Sequence, residues 1–134
     1  MVWDKCKTYL ENFEFNPPNL RELIKEIKVS EAVLKNVFYK AIRQHLIVQV
    51  GQDIYYPIAT MKRLAKTLEA IFEEKQQITV IDVRDQLKIG RNRVILIIET
   101  FDKMGFTHRI IKQTKSKEVI DYRIIKNPNV LNDA

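Results

Sequence analysis

The run ITVIDVRDQLKIGRNRVILIIETFDKMGFTHR, residues 78–109, decides the fold of this 134-residue chain. Its apolar residues recur at helical spacing in two blocks, which predicts a short helix over 81–87 and a longer one at Arg91–Met104. Gly105 stands where a helix often ends in a left-handed residue, and residues 106–112 are expected to form a strand. The run therefore predicts a helix-turn-helix with the first strand of a β-hairpin behind it.

The residues on either side of this run complete one small module. A helix is expected over 59–75, and a short strand over 78–80, with Thr79 or Asp82 near the start of the next helix. A second strand at Val119–Ile125 follows a polar connection and closes the hairpin. Three helices followed by a two-stranded hairpin is the order of a winged-helix domain, in which the hairpin is the wing.

The same pattern occurs 60 residues earlier in the chain. Without any gap, apolar residues of the first half fall on apolar residues of the second half: Leu20 on Val80, Leu23 on Val83, Leu34 on Val94, Phe38 on Ile98 and Val50 on Ile110. Because the identity between the two halves is low, the match indicates a shared fold and not a recent duplication.

The first half also has its own helix signals. Residues 5–15 show helical apolar spacing, and a Pro-Pro pair then stops that helix. Asn19 can cap a helix at Leu20–Ile27, and Ser30 can cap a longer one that ends near Gln44. The longer helix is expected to bury Val33, Leu34, Val37, Phe38, Ala41 and Ile42.

A hairpin over residues 46–50 and Ile54–Pro57 completes the first module. The predicted fold class is therefore α+β, mostly helical, with two tandem winged-helix domains, each a helix-turn-helix plus a β-hairpin wing. The expected boundaries are 1–57 for the first domain, 58–126 for the second and 127–134 for a polar tail. The alternative is a single α+β domain whose helices and hairpins are arranged otherwise.

The composition excludes several classes of protein. Hydrophobic residues make up 46% of the chain and charged residues 30%, which is typical of a globular protein and argues against wholesale disorder. No run approaches the roughly 20 apolar residues of a membrane span, and the first residues lack the build of a signal peptide. Cys6 is the single cysteine and there are two histidines, too few for an internal disulfide or a zinc quartet. We expect a cytoplasmic protein without a cofactor, and no Ser-His-Asp or Cys-His arrangement points to an enzyme.

The positive charge lies in the second half of the chain. Residues 1–57 have a net charge of +1 and residues 58–134 a net charge of +5; within 84–117, nine basic residues stand against three acidic ones. Because Lys and Arg neutralise phosphates and release counterions, this clustering indicates a polyanion site. Gly90 and the Arg-Asn-Arg that follows it lie at a helix start, where unpaired backbone N–H groups favour anions.

Several stretches of the sequence resemble one known family. They are FNPPNL at 15–20, LIVQV at 46–50 with IYY at 54–56, ITV…VRDQL…GRNR at 78–93 and ETFDKMGFTHR at 99–109. Together they are similar to the last two winged-helix repeats of the bacterial selenocysteine-specific elongation factor, SelB, over about residues 5–112. The most specific parts are the Arg-Asp pair at 84–85 and the run at 101–107.

The resemblance implies a role in binding RNA. That family is a GTPase that delivers selenocysteinyl-tRNA to the ribosome, and the tip of its C-terminal arm binds an mRNA hairpin next to a UGA codon. This chain has no GxxxxGK[ST] phosphate loop, so it is expected to correspond to the last two repeats of the arm alone. The implied partners are an mRNA stem-loop and, indirectly through the parent factor, the ribosome. We expect a monomer without membrane contact, whose first domain is a spacer or docking unit.

The resemblance also carries functional residues over by position. Arg91 takes the place of an Arg in the family's RNA-contacting surface, Asn92 stands where Lys is usual, and Arg93 stands where an aromatic residue is common. Arg84 matches the family pattern, and it is expected either to pair with Asp102 or to face the RNA.

The wing contributes the remaining expected contacts. The Thr-Arg-Arg of the family's wing becomes Thr-His-Arg at residues 107–109. The full expected RNA-binding set is Arg84, Lys88, Arg91, Asn92, Arg93, Thr107, His108, Arg109, Lys112 and Lys115. Within it, Lys88 and Lys115 are expected to contribute weakly and without sequence specificity.

Two other functions remain open alternatives. A winged-helix DNA-binding transcriptional regulator would need a polar-faced recognition helix, whereas the centre of this one, residues 94–98, is apolar. A winged-helix module that binds only protein would not need the excess of positive charge between residues 84 and 117. The sequence therefore favours an mRNA-hairpin-binding module of a selenocysteine-specific elongation factor.

Overall fold

The computed structural model describes residues 2–131 and divides the chain into two compact units, Met1–Arg63 and Leu64–Ala134. The elements in chain order are α1 (Val2–Asn12), α2 (Leu20–Ile27), α3 (Glu31–Arg43), β1 (Ile47–Val50), β2 (Ile54–Pro57), α4 (Ile58–Lys75), α5 (Val80–Leu87), α6 (Arg91–Met104), β3 (Thr107–Gln113) and β4 (Val119–Ile125). The division between the units falls within α4. Three helices and an antiparallel hairpin occur twice in succession, which confirms the predicted winged-helix order.

Both short helices begin with the same reciprocal cap. The Asn19 side chain accepts a hydrogen bond from the Glu22 backbone N–H at 3.0 Å, and Thr79 accepts one from Asp82 at 3.2 Å. In each case the acidic side chain accepts in return from the cap's own backbone N–H, at 3.3 Å. The two caps lie 60 residues apart, so the repeat in the sequence is a repeat of helix starts, each of which contributes about 1 kcal/mol.

The first unit closes around an apolar core in which aromatic rings meet. Phe38 of α3 and Tyr55 of β2 lie with their ring centroids 4.6 Å apart, and the Tyr56 hydroxyl donates to the Phe15 carbonyl at 2.6 Å. The buried cluster consists of Cys6, Leu10, Leu20, Leu23, Leu34, Phe38, Ala41, Ile47 and Tyr55.

Two expectations for the first unit were wrong in detail. Val33 is 44% exposed, because it lies about 100° around α3 from Leu34 and therefore faces away from the core. The first helix covers Val2–Asn12 and not 5–15, since the chain turns at residues 13–15 before the Pro-Pro pair.

The second unit is held by the longer helix and the start of the wing. Phe101 of α6 and Phe106 are both fully buried, with ring centroids 5.1 Å apart, and Gly105 between them takes φ 83°. A left-handed residue at this position lets the Phe106 N–H donate to the Phe101 carbonyl at 3.0 Å and ends the helix.

The predicted strand over 78–80 is reduced to a single bridge. Ile78 exchanges two backbone hydrogen bonds with Arg123, at 2.8 and 2.7 Å. Thr79 already caps α5 and Val80 is its first residue, so the demands of the helix start leave no room for a longer strand.

Part of the predicted polar tail is packed. The backbone N–H of Asn127, the first residue of that tail, donates to the Phe106 carbonyl, as does that of Lys126 just before it, and Leu131 is buried. Residues 132–134 lie outside the described residues. In residues 2–131, no helix combines the length and apolar character needed to cross a bilayer.

We predict that Cys6 resists alkylation in the folded protein. Burial raises the pKa of its thiol from 9.0 to about 11, which lowers the thiolate fraction by about a hundredfold near pH 8. Iodoacetamide labelling, followed by mass spectrometry, should therefore be slow in buffer and fast in about 6 M guanidinium, which unfolds most domains. Equal labelling rates in the two conditions would contradict the burial of the Cys6 side chain on α1.

Candidate nucleic-acid interface

The start of α6 has no side-chain cap. The first N–H groups of an α-helix have no partner within the helix, and in α6 two of them belong to the exposed residues Arg91 and Asn92. Gly90 is the N-cap, and it forms no side-chain cap hydrogen bond, in contrast to Ser30, which caps α3 at the equivalent position. The positive end of α6 is therefore available to an outside acceptor.

The polar and basic residues around this helix start differ in exposure. Arg91, Asn92 and Lys88 are exposed, whereas Arg93 is half-buried. Lys88 ends α5 in the left-handed conformation, with φ 58°, and so belongs to the turn between the two helices of the helix-turn-helix. An Arg fork, an amide and open N–H groups at one helix end are suited to bind phosphate oxygens or a base edge.

Arg84 does not pair with Asp102, which corrects one of its two expected roles. Its Nε lies 3.9 Å from the Asp85 carboxylate, and both side chains are exposed. An exposed pair at this distance holds the side chain weakly, so Arg84 remains able to turn toward a ligand.

Asp102 is instead occupied by the wing. Its Oδ1 accepts from the Thr107 hydroxyl at 2.6 Å, and its Oδ2 accepts from Nη2 and Nε of Arg123 at 3.1 and 3.3 Å. Thr107 is 3% exposed and Arg123 is 6% exposed. Thr107 is therefore buried at the start of β3, with its hydroxyl bound to the end of α6.

The sequence reasoning missed Arg123. The sequence contained a signal for it. In β4, Arg123 stands between Tyr122 and the pair Ile124–Ile125, so one charged residue interrupts an otherwise apolar stretch. A charged residue at an inward position of a strand requires a partner, and Asp102, for which the sequence suggested only Arg84, is that partner.

The two faces of the wing carry different basic residues. In the β3–β4 register, Arg109 lies opposite Arg123, whereas His108 lies opposite Ile124 and Lys112 opposite Ile120. Since residues directly opposite share a face, Arg109 projects from the face of Arg123, and His108 and Lys112 project from the other. All three are exposed, as is Lys115 in the turn.

Arg109 is held by an acidic residue of the neighbouring strand. Its Nε and Nη2 donate to the two carboxylate oxygens of Asp121, at 3.0 and 2.6 Å. The hydrogen bonds from Arg109, together with its charge, hold the pKa of Asp121 below its ordinary value, and the same contact raises the pKa of Arg109. The guanidinium of Arg109 is thus already engaged within the protein.

The expected residues therefore form three groups. Exposed at the surface are Arg84, Lys88, Arg91, Asn92, His108, Lys112 and Lys115; engaged or half-buried are Arg109 and Arg93; buried is Thr107. In residues 2–131 there is no group of three or more His, Cys, Asp or Glu side chains able to hold a metal ion.

The region around the start of α6 is similar in sequence to known proteins. Residues 70–111 match the family model described as elongation factor SelB, winged helix. The chain is 30% identical over 90 residues to a selenocysteine-specific elongation factor of Haemophilus influenzae and 30% identical over 108 residues to that of Escherichia coli K12. These matches cover 67% and 81% of this chain but 14% and 17% of the relatives, so the chain spans about a sixth of their length.

Solved structures confirm the fold. The mRNA-binding domain of elongation factor SelB from E. coli in complex with SECIS RNA matches with a TM-score of 0.76 and 24% identity, over 94% of both chains. A bacterial selenocysteine-specific elongation factor, EF-Sec, matches with a TM-score of 0.72 and 18% identity, over 94% of this chain and 18% of that one. These likenesses show two tandem winged helices, as the sequence predicts.

We predict that Asp102→Ala lowers the free energy of unfolding by about 3 kcal/mol, because it leaves the buried Arg123 guanidinium without its main partner. Urea denaturation followed by circular dichroism measures the change. Asp85→Ala, which removes an exposed pair, is the control and should cost less than about 0.5 kcal/mol. Equal losses for the two variants would mean that the Asp102 contact does not hold the wing.

A second prediction concerns Asp121. Asp121→Asn should release Arg109 and strengthen retention on heparin, with the salt slope of polyanion binding steeper by about 0.7 to 0.9. Glu118→Gln removes the same charge from a residue that forms no ion pair in the part of the chain described, and it serves as the control. If both variants shift retention equally, net charge and not the release of Arg109 is responsible.

Proposed function

We propose that this chain, whose residues 70–111 match the winged-helix model of elongation factor SelB, binds an mRNA hairpin, the selenocysteine insertion element, for a selenocysteine-specific elongation factor. The observation that carries the proposal is the start of α6 inside the matched region, which lacks a side-chain cap and carries the exposed side chains of Arg91 and Asn92. The similar E. coli domain is described as bound to SECIS RNA, which supports the same partner for this chain.

The geometry of an RNA hairpin suits this surface. The major groove of A-form RNA is too deep and narrow for side chains, so sequence is read mainly on loops and bulged bases. A helix end is a narrow projection, and it can approach a bulged base more closely than a helix flank can. Arg91 and Asn92 supply hydrogen-bond donors for a base edge, and the open N–H groups of α6 receive a phosphate.

The wing provides a second set of contacts to the RNA. His108 and Lys112 project from one face of the hairpin, and Lys115 lies at its tip. These residues are placed to contact phosphates along the stem, which adds affinity without adding sequence information. Arg109 joins them to the extent that RNA phosphates displace Asp121 from its guanidinium.

The remaining parts of the proposal concern the role in the cell. The chain acts as a binding module and not as an enzyme, and it tethers its factor beside a UGA codon during translation. It works as a monomer in the cytoplasm and reaches the ribosome through the parent factor. The first domain serves as a spacer or docking unit for the RNA-binding second domain.

Fluorescence anisotropy with a labelled RNA hairpin that carries a bulged base tests this function. Arg91→Ala should weaken hairpin binding by about 5-fold to 150-fold, the loss expected for a base-reading contact of about 1–3 kcal/mol. Lys103→Ala removes the same charge from the exposed opposite end of α6 and should change affinity little.

A DNA duplex of the same sequence is the competitor in this experiment. The proposal requires that the duplex fail to displace the hairpin. Equal or stronger duplex binding would indicate a DNA-binding regulator, and no binding to either nucleic acid would indicate a protein-interaction module.

A further inference from the structure

The exposed side of α3 in the first unit has an unusual composition. Tyr39 is 60% exposed, more than any other aromatic residue in residues 2–131. Exposed polar and basic residues lie near it: Asn36, Lys40 and Arg43 of α3, and Gln44, the residue that caps the end of the helix. We call these five residues the α3 surface.

Arg43 organises the tyrosine ring. Its guanidinium carbon lies 5.8 Å from the ring centroid of Tyr39, which is within the range of a cation–π contact. A guanidinium over one face restrains the ring and leaves its other face to solvent. A flat, exposed aromatic face beside a cation is the platform on which proteins stack an unpaired base.

The charge of the α3 surface has a single sign. No acidic residue occurs between Glu31 and Asp53, whereas Lys35, Lys40 and Arg43 all fall in that interval. Lys35 pairs with Glu31 at 3.2 Å, but neither Lys40 nor Arg43 forms an ion pair with any described carboxylate. The net charge of +1 for the first domain therefore conceals a local positive patch, because the acidic residues lie elsewhere.

Two concavities border this patch and share Lys40 and Gln44. A shallow depression of about 330 Å³ is lined by Lys40, Arg43 and Gln44. A groove of about 440 Å³ beside it has an apolar floor formed by Val2, Trp3, Val37, Ala41 and Leu46. Tyr39 lines neither concavity, so the apolar groove is a separate place beside the tyrosine where a further base fits, with Gln44 at the rim to hydrogen-bond its edge.

We propose that the α3 surface is a second RNA-binding site, which takes single-stranded RNA by stacking a base on Tyr39 and holding phosphates with Lys40 and Arg43. This goes beyond the proposed function, which uses α6 and the wing of the second unit. Protein interfaces are enriched in Tyr and Arg but depleted in Lys; because the α3 surface carries two cations and no acidic residue, we argue for a nucleic-acid strand as its occupant.

The test uses the full chain and a fluorescein-labelled oligouridine of about 12 nucleotides. A single strand of this length covers about one to three single-strand-binding folds, so it is long enough for one site. All variants are made in an Arg91→Ala and Lys112→Ala background, which weakens binding by the second unit, and each is compared with that background. Lys40→Gln with Arg43→Gln should weaken binding and reduce the salt slope by about 1.4, at roughly 0.7 for each lost phosphate contact. Tyr39→Leu should lower affinity about 5-fold or more without changing that slope.

Arg21→Gln with Lys25→Gln is the matched control. It removes the same two charges from exposed positions on α2 in the same unit and should leave oligouridine binding unchanged. The proposal is overturned if the control weakens binding as much as the α3 variants, if Tyr39→Leu has no effect, or if the background variant alone abolishes binding. Hairpin binding by the otherwise unaltered chain is measured separately, so a failure of the proposed function is distinguishable from a failure of this site.

Discussion

The second unit depends on one half-buried contact, the carboxylate of Asp102 between Thr107 and Arg123. Asp102 lies in the last turn of α6, and its two oxygens hold the first residue of β3 and an inward residue of β4. The backbone of the same Arg123 pairs with Ile78, directly before α5 begins. A single strand residue thus ties the wing to the end of α6 and to the start of α5, and the basic surface is held by this tie.

The two units share a plan and differ in where they leave groups unsatisfied. Their short helices have the same reciprocal caps, and both end in a left-handed Lys at the equivalent position, Lys28 and Lys88. The longer helices diverge at their caps. The Ser30 side chain accepts a hydrogen bond from a backbone N–H at the start of α3, whereas Gly90 provides no side-chain cap at the start of α6, where an anion can bind. Positive charge accordingly gathers at the start of α6, while in α3 it gathers toward the end.

Local patterns explain how much of the fold the sequence predicts. The bounds of α2, α6, β2 and β4 match the expectations, because caps, a C-terminal glycine and turn residues act within a few positions of each other. The expectations that were wrong needed three-dimensional information. The strand over 78–80 competes with a helix cap, and the exposure of Val33 depends on which side of α3 faces the core.

The sequence by itself determined two winged helices, their capped starts and the concentration of basic residues around α6, because apolar period, capping chemistry and charge are all carried by neighbouring residues. Only the tertiary structure decided which side chains the protein uses for itself. It buries Thr107 beneath the wing, gives Asp102 to Arg123 and engages Arg109 with Asp121. These pairings join residues 5 to 21 positions apart along the chain. Their distances follow from strand register and helix packing, which no local pattern encodes.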